Sequence, residues 1–556
     1  MVARVVWDHE AAGSSPVTSI PENHLETFVS GWSFCIIPHF LPRCIQIRAF
    51  AVQLFKYMFF YAAAMLPRCK ACAPVYVVLH NLIMEAIPCR VAPAGYFSVV
   101  FSPQKRYNNL KFRNIREGIF MGKIRHCLRS AAGYLAVCAR WLALAALVGC
   151  VVGPLGAAFG LALNWANATR AAQPWLLYLL PIAGLVIVFL YSHFDPDGGG
   201  STNQVFVSVR EQKPMTLRTA PLIFASTVMT HLFGGSSGRE GAALLLGGSV
   251  SGQIGKAFHL ESRDCRLMTM CGMAGAFSAI FGTPLAATIF TLEVVDVGSM
   301  QYAALLPCLV SALLGVFISG QMGHAPESFV LKAEVAATPL NLVRVILLGA
   351  LLAALSIFFC ELLHTAPKLY KKFLPNAYLR VAAGGVLILA LTKLLGTTDY
   401  NGAGAAVIEA AIDGEAVPYA FLLKMLFTAL TLGAGFKGGE IVPIFFTGAT
   451  FGCVAAPLLG LPPQLGAALG MVALFCGCTN SPLASTCLAI EVFGGQCIAL
   501  FALACAVSYM LSSYFSLYRE QHFLHSKLRI VGVQRVHGRW SETDAKHFTT
   551  NDDGEN

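Results

Sequence analysis

Two acidic residues stand where a hydrophobic chain accommodates them least easily. Glu240 lies in Gly234-Gly235-Ser236-Ser237-Gly238-Arg239-Glu240-Gly241, and Glu440 in Gly435-Phe436-Lys437-Gly438-Gly439-Glu440-Ile441-Val442-Pro443. A carboxylate between apolar stretches is costly to bury, and glycine-rich breaks at membrane depth are tolerated only where they line protein or a water-filled cavity. Each block precedes an apolar stretch, 242–250 and 444–457. Each would therefore aim backbone N–H groups and a positive helix end at one place. That arrangement suits an anion, and a carboxylate set within it can exchange a proton. The chemistry expected is ion passage through broken helices.

The rest of the chain must hold those blocks in a bilayer. Of 556 residues, 56% are hydrophobic and only 12% charged, where a soluble protein carries roughly a quarter. Apolar runs recur from 134 to 515, among them 141–163, 175–191, 342–363 and 499–511. Several approach the ~20 residues that span a membrane. The chain reads as an all-α integral membrane protein. Its net charge of +10 does not imply nucleic acid, because the basic residues at 105–129, 368–372 and 527–539 flank apolar runs. By the positive-inside rule they place both ends of the transport region in the cytoplasm. Many of the 18 cysteines sit in apolar runs, such as Cys476, Cys478 and Cys487, as small hydrophobes. Cys69 and Cys72 form a CxxC that no second pair or nearby histidine completes, so neither metal nor cofactor is expected.

Residues 1–120 read differently. The segment 10–17 resembles the peptide obtained when a transfer-RNA gene is conceptually translated, and 35–101 lacks a sustained helical or alternating period. A signal or transit peptide would show a positive, apolar and cleavage-site order that is missing here. The reading is a spurious or disordered extension, with translation starting at Met121. A first membrane repeat then spans 121–335, a second 336–522, and a short cytoplasmic tail 523–556.

The repeats are visible as residues. Gly272-Met273 through Pro284-Leu285-Ala286-Ala287-Thr288-Ile289-Phe290-Thr291-Leu292-Glu293-Val294 has a counterpart in Gly470-Met471 through Pro482-Leu483-Ala484-Ser485-Thr486-Cys487-Leu488-Ala489-Ile490-Glu491-Val492. The two glycine-rich blocks share nearly the same offset. Sequence leaves parallel and inverted repeats open; inverted ones are common in ion transporters and place the site near the midplane.

These blocks, in duplicated halves, resemble the CLC family of chloride channels and anion/proton antiporters over about residues 125–525. Gly435–Glu440 and Thr230-His231-Leu232-Phe233-Gly234-Gly235-Ser236 are similar to its bacterial fluoride/proton antiporter branch. The resemblance implies a CLC-like fold of two inverted repeats, a homodimer, a bacterial-type cytoplasmic (inner) membrane, and export of fluoride against protons. It makes Glu240 the gating glutamate and proton carrier, with pairing to Arg239 or capping of the next helix as the structural alternative. Gly238, Gly241, Gly439, Glu440, Ile441 and Val442 would line the anion path, with Arg239 as support near the pore. Val294 falls where chloride antiporters carry an inner glutamate, which leaves Glu293 and Glu491 as backbone-bonding structural residues. Asn203 would offer its amide to fluoride, unless it caps an ordinary turn. Tyr518 matches the late pathway tyrosine, with Tyr509 and Tyr514 as competitors. Phe445 and Phe446 would present ring edges to the anion or simply pack. Val442 and Ala242 stand where the branch usually has threonine, which weakens the carry-over of anion selectivity.

Within the family, a chloride/proton antiporter or a chloride channel is the alternative. Gly235-Ser236-Ser237-Gly238 also contains the GxSG of intramembrane serine proteases, but His231, His259 and His364 lie in no supporting motif. A structural scaffold leaves the duplicated polar breaks unexplained.

Overall fold

A computed structural model describes residues 109–195, 200–211, 215–324, 329–331, 335–527, 533–536 and 539–542, with side chains between 129 and 527. The sequence expectations for 1–108 and for the CxxC pair lie outside the described residues. The chain divides into two compact units, Met1–Leu135 and Ala136–Asn556, and all that follows concerns the second.

Helices dominate. α1 (Asn109–Ala172) is followed by α2 (Leu180–Phe194), α3 (Asn203–Glu211), α4 (Thr219–Leu232), α5 (Glu240–Ala257), α6 (Ser262–Phe281), α7 (Pro284–Glu293) and α8 (Leu305–Gln321). The second half contains α9 (Pro339–Phe373), α10 (Ala377–Leu395), α11 (Ala405–Asp413), α12 (Ala420–Ala434), α13 (Ile441–Leu458), α14 (Pro463–Thr479), α15 (Pro482–Phe493) and α16 (Ile498–Leu511). Strands among the described residues are short: β1 (Asp296–Val297) pairs in parallel with β2 (His522–Phe523), and β3 (Val533–Val536) pairs with β4 (Arg539–Glu542). Arg129–Ala172, Pro174–Phe194, Tyr302–Gln321, Pro339–Phe373, Ala377–Leu395 and Ile441–Leu458 are long and apolar enough to cross a bilayer. Shorter apolar helices such as α7, α12 and α15 pair with them around the breaks.

The duplication reappears as packing. A side chain on Gly247 of α5 would stand 2.0 Å from the Gly272 carbonyl oxygen of α6, and one on Gly452 of α13 would stand 2.0 Å from that of Gly466 on α14. Bare backbones meet in both halves because only small residues allow that approach. The connections after α6 and α14 repeat too: a left-handed C-cap, Gly282 (φ +82°) or Asn480 (φ +58°), precedes a proline at the first helical position.

Helices α7 and α15 fix the relation between the repeats. Glu293, ending α7, accepts the Leu483 and Ala484 N–H groups of α15 at 3.2 and 2.9 Å. Glu491, near the end of α15, accepts those of Leu285 and Ala286 of α7, both at 2.8 Å. Each helix thus delivers its C-terminal carboxylate to the other's amino end, so equivalent helices run antiparallel. The repeats are inverted. The backbone-bonding role read from sequence for both glutamates is what the geometry contains.

Candidate functional site: two carboxylates between half-helices

The two glycine-rich blocks meet. Gly238 N–H donates to the Gly439 carbonyl at 2.6 Å, and Gly439 N–H to that of Gly238 at 2.8 Å, in an isolated antiparallel bridge. A side chain on Gly238 would lie 2.9 Å from the Val442 nitrogen, and one on Gly439 2.7 Å from the Gly241 nitrogen. Glycine at both positions is therefore required for the backbones to touch. α5 starts one residue past this bridge at Glu240, and α13 just past it at Ile441. First-turn N–H groups have no i−4 carbonyl within their own helix. The amino ends of α5 and α13 converge here, with the positive ends of their dipoles.

Polar side chains around the bridge hold the first block. Thr431 Oγ1 of α12 accepts the Ser236 N–H at 3.0 Å, and Thr428 bonds the Ser236 hydroxyl at 3.1 Å. Asn401 Nδ2 donates to the Gly234 carbonyl at 2.7 Å, and Gly402 N–H to that of Gly235 at 3.0 Å. Lys424, fully buried, supports that second loop by donating to the Tyr400 and Gly402 carbonyls at 3.2 and 2.7 Å. Arg170 donates to the His231 carbonyl at 2.7 Å.

Glu240 is wholly enclosed, at 0% exposure, and pairs with Arg239: Oε1 lies 3.2 Å from the guanidinium Nε, and Oε2 accepts the Arg239 N–H at 3.2 Å. The structural alternative weighed for Glu240, pairing with its neighbour, is thus part of the geometry. It coexists with a position at the helix-end convergence. Glu440 reaches the same place from the other repeat. Its Oε2 lies 3.1 Å from where a Gly241 side chain would begin, and it accepts the Thr202 hydroxyl at 3.3 Å. Tyr518 is buried with its ring 4.5 Å from that of Phe206, and its hydroxyl has no hydrogen-bond partner among the described residues. Both Glu440 and Glu240 lie within electrostatic range of it. The competing tyrosines are engaged elsewhere: Tyr514 donates to Ser526, and the Tyr509 ring lies under the Lys527 ammonium.

Three sequence expectations land differently. Asn203 begins α3, but its amide bonds Ser201, and its carbonyl oxygen accepts the Glu520 N–H at 3.4 Å. Its neighbour Thr202 is the one whose side chain touches a pathway carboxylate. Phe445 packs against Phe281 and Phe475 at 5.4 and 5.3 Å. Phe446 carries the Lys424 ammonium 5.0 Å from its ring centroid and Tyr400 at 6.2 Å. Packing, the alternative held open for both rings, occupies them. Val294 is fully buried, and its carbonyl accepts Gln521 Nε2 at 2.8 Å.

The serine-protease reading gains one contact and loses its chemistry. Ser237 Oγ stands 3.3 Å from His231 Nε2, which also faces the Gly238 carbonyl at 3.4 Å. Both residues are enclosed by protein, and His231 Nδ1 has no partner among the described residues to orient the ring. A nucleophile and base need that third group and access to substrate.

Inverted repeats, half-helix amino ends converging on one point, and carboxylates at that point define an integral membrane anion transporter. The family model described as voltage gated chloride channel matches residues 183–513. The chain is 34% identical over 426 residues to a "Chloride/fluoride channel protein" of Pseudomonas syringae pv. tomato, covering 74% of this chain and 94% of that protein. An "H(+)/Cl(-) exchange transporter ClcA" of Yersinia pestis is 27% identical over 68% of this chain and 85% of its own length. Among solved structures, a "CLC-type fluoride/proton antiporter" superposes with a TM-score of 0.67 at 33% identity, covering 69% of this chain and 98% of that one. The chain belongs to the voltage gated chloride channel family, the CLC proteins.

Proposed function

We propose that the protein exports fluoride in exchange for protons, as a homodimer in a bacterial cytoplasmic membrane. The observation that carries this reading is Glu240, a fully buried carboxylate where two half-helix amino ends converge, with Glu440 brought to the same point by the other repeat. The charged Glu240 occupies the position of an anion; on taking up a proton it gives that position to fluoride. Arg239 steadies the charged form. Backbone N–H groups around Gly238, Gly241, Gly439, Ile441 and Val442 serve as the anion's donors, and the Tyr518 hydroxyl as a further one. The fluoride choice is supported by the two relatives above 30% identity, whose names include fluoride, whereas the chloride exchanger stands at 27%.

The test is reconstitution into liposomes with fluoride and chloride electrodes and a proton-sensitive dye. Fluoride efflux driving protons uphill is expected, and it should disappear in Glu240→Gln. Comparable chloride efflux would establish the chloride/proton alternative instead. Proton pumping that survives in Glu240→Gln would remove Glu240 from the proposed role.

A further inference from the structure

We propose that Thr202 is a positioning residue of the pathway, whose hydroxyl holds the Glu440 carboxylate in place against Gly241; this rests on the transport reading above. The two pathway carboxylates are held in unlike ways. Glu240 has a cation, Arg239, at 3.2 Å from within its own block. The corresponding cation of the second block, Lys437, is turned instead onto the Tyr191 ring, 4.5 Å from its centroid. Glu440 receives a neutral hydroxyl from the opposite repeat, at 3.3 Å.

The contact is built rather than incidental. Thr202 is 3% exposed and stands immediately before α3, where its carbonyl accepts the Val205 N–H at 3.3 Å. A side chain on Gly241 would begin 2.9 Å from Thr202 Oγ1 and 3.1 Å from Glu440 Oε2. Hydroxyl, carboxylate and the first turn of α5 therefore close on one point, and only glycine at 241 leaves room for it. A hydroxyl also suits a group that gains and loses a proton. It donates to a carboxylate, and it can accept from the O–H of a carboxylic acid. An ammonium or guanidinium in its place would favour the charged form alone. Thr202 can thus keep Glu440 in place through both halves of a proton cycle.

Thr202→Val keeps the shape and removes the hydroxyl. Losing a hydrogen bond to a charged group should slow fluoride efflux by roughly tenfold, the lower end of such effects because the bond is long. The number of protons moved per fluoride should fall as well, a change that a purely structural role would not produce. Thr202→Ser should restore both. In a Glu440→Gln background, Thr202→Val should add less than about twofold, since residues acting through one another are not additive. Equilibrium fluoride binding by calorimetry on the full chain, monodisperse in detergent, reads the same cycle should Glu440→Gln stop transport. Thr202→Ala replaces the valine variant if that one does not fold. Wild-type-like transport in Thr202→Val, unchanged coupling, or an equal penalty in both backgrounds would overturn the proposal. Wild-type protein that moves no fluoride would instead defeat the transport reading. If it moves chloride with protons, the same comparisons are read on chloride.

Discussion

The crossed carboxylates of α7 and α15 offer the sharpest energetic test of the fold. Glu491→Ala would leave the Leu285 and Ala286 N–H groups without their acceptors, both now bonded at 2.8 Å. Each orphaned buried donor costs about 1–3 kcal/mol, and loss of a negative charge at a helix amino end adds about 0.3–1 kcal/mol. The total, about 3–6 kcal/mol, is comparable to the whole stability of many domains. Glu491→Gln retains one oxygen and presents an N–H₂ to the other donor, so about half that loss is expected. Unfolding by graded sodium dodecyl sulfate in detergent micelles, followed by tryptophan fluorescence, measures the difference directly. Glu293→Gln should behave alike, because it makes the mirror-image pair of bonds at 3.2 and 2.9 Å. If Glu491→Gln unfolded within about 0.5 kcal/mol of wild type, capping would not be its function. Loss of proton coupling at unchanged stability would make it a relay instead.

Two further outcomes follow from particular contacts. Gly241→Ala would place a methyl 2.9 Å from Thr202 Oγ1 and 3.1 Å from both Glu440 Oε2 and Gly439 Cα; overpacking of that kind costs about 1–3 kcal/mol, and efflux should fall more than about tenfold in folded protein. Full efflux from that variant would contradict the tight junction. Lys527, in the tail beyond the last helix, donates to the Tyr509 carbonyl and the Ser512 hydroxyl, both at 2.9 Å, and to Asn480. Burial pushes it down to about 7, against about 10.4 in an unfolded chain. Between those values the unfolded chain keeps a proton that the folded one has shed, so stability rises with pH by at most about 1.4 kcal/mol per unit. Melting temperature should climb from pH 7 to 9 in wild type and stay flat in Lys527→Met; parallel curves would refute the assignment.

Much of the site was legible because its devices are backbone devices. Gly238, Gly439, Gly282 and the prolines at 284 and 482 are informative in sequence because few other residues can fill those positions. Glu240 was legible for a different reason, the cost of a carboxylate in apolar surroundings. Tyr518 was correctly separated from Tyr509 and Tyr514 in burial, since only its hydroxyl is enclosed without a partner among the three. Thr202 was not legible. A hydroxyl between Ser201 and Asn203 looks like turn chemistry, and nothing local tells that it meets a residue of the other repeat. The rings of Phe445 and Phe446 were equally undetermined, because packing and anion contact call for the same residue type.

The inner side of the pathway argues that both ions share the central carboxylates. Gln521 uses its whole amide there: Nε2 donates to the Val294 and Thr479 carbonyls at 2.8 and 2.7 Å, and Oε1 accepts from Asn480 and Ser516 at 2.9 and 2.6 Å. A fully bonded amide neither offers nor takes a proton, and Val294 beside it has no group that titrates. The nearest carboxylate in sequence, Glu293, is committed to the amino end of α15. A proton crossing between Val294 and the bridge of Gly238 and Gly439 therefore needs water or the unpartnered Tyr518 hydroxyl to reach Glu440 and Glu240. On this account Tyr518→Phe should slow proton movement more than fluoride movement, and equal slowing of both would place the hydroxyl on the anion alone.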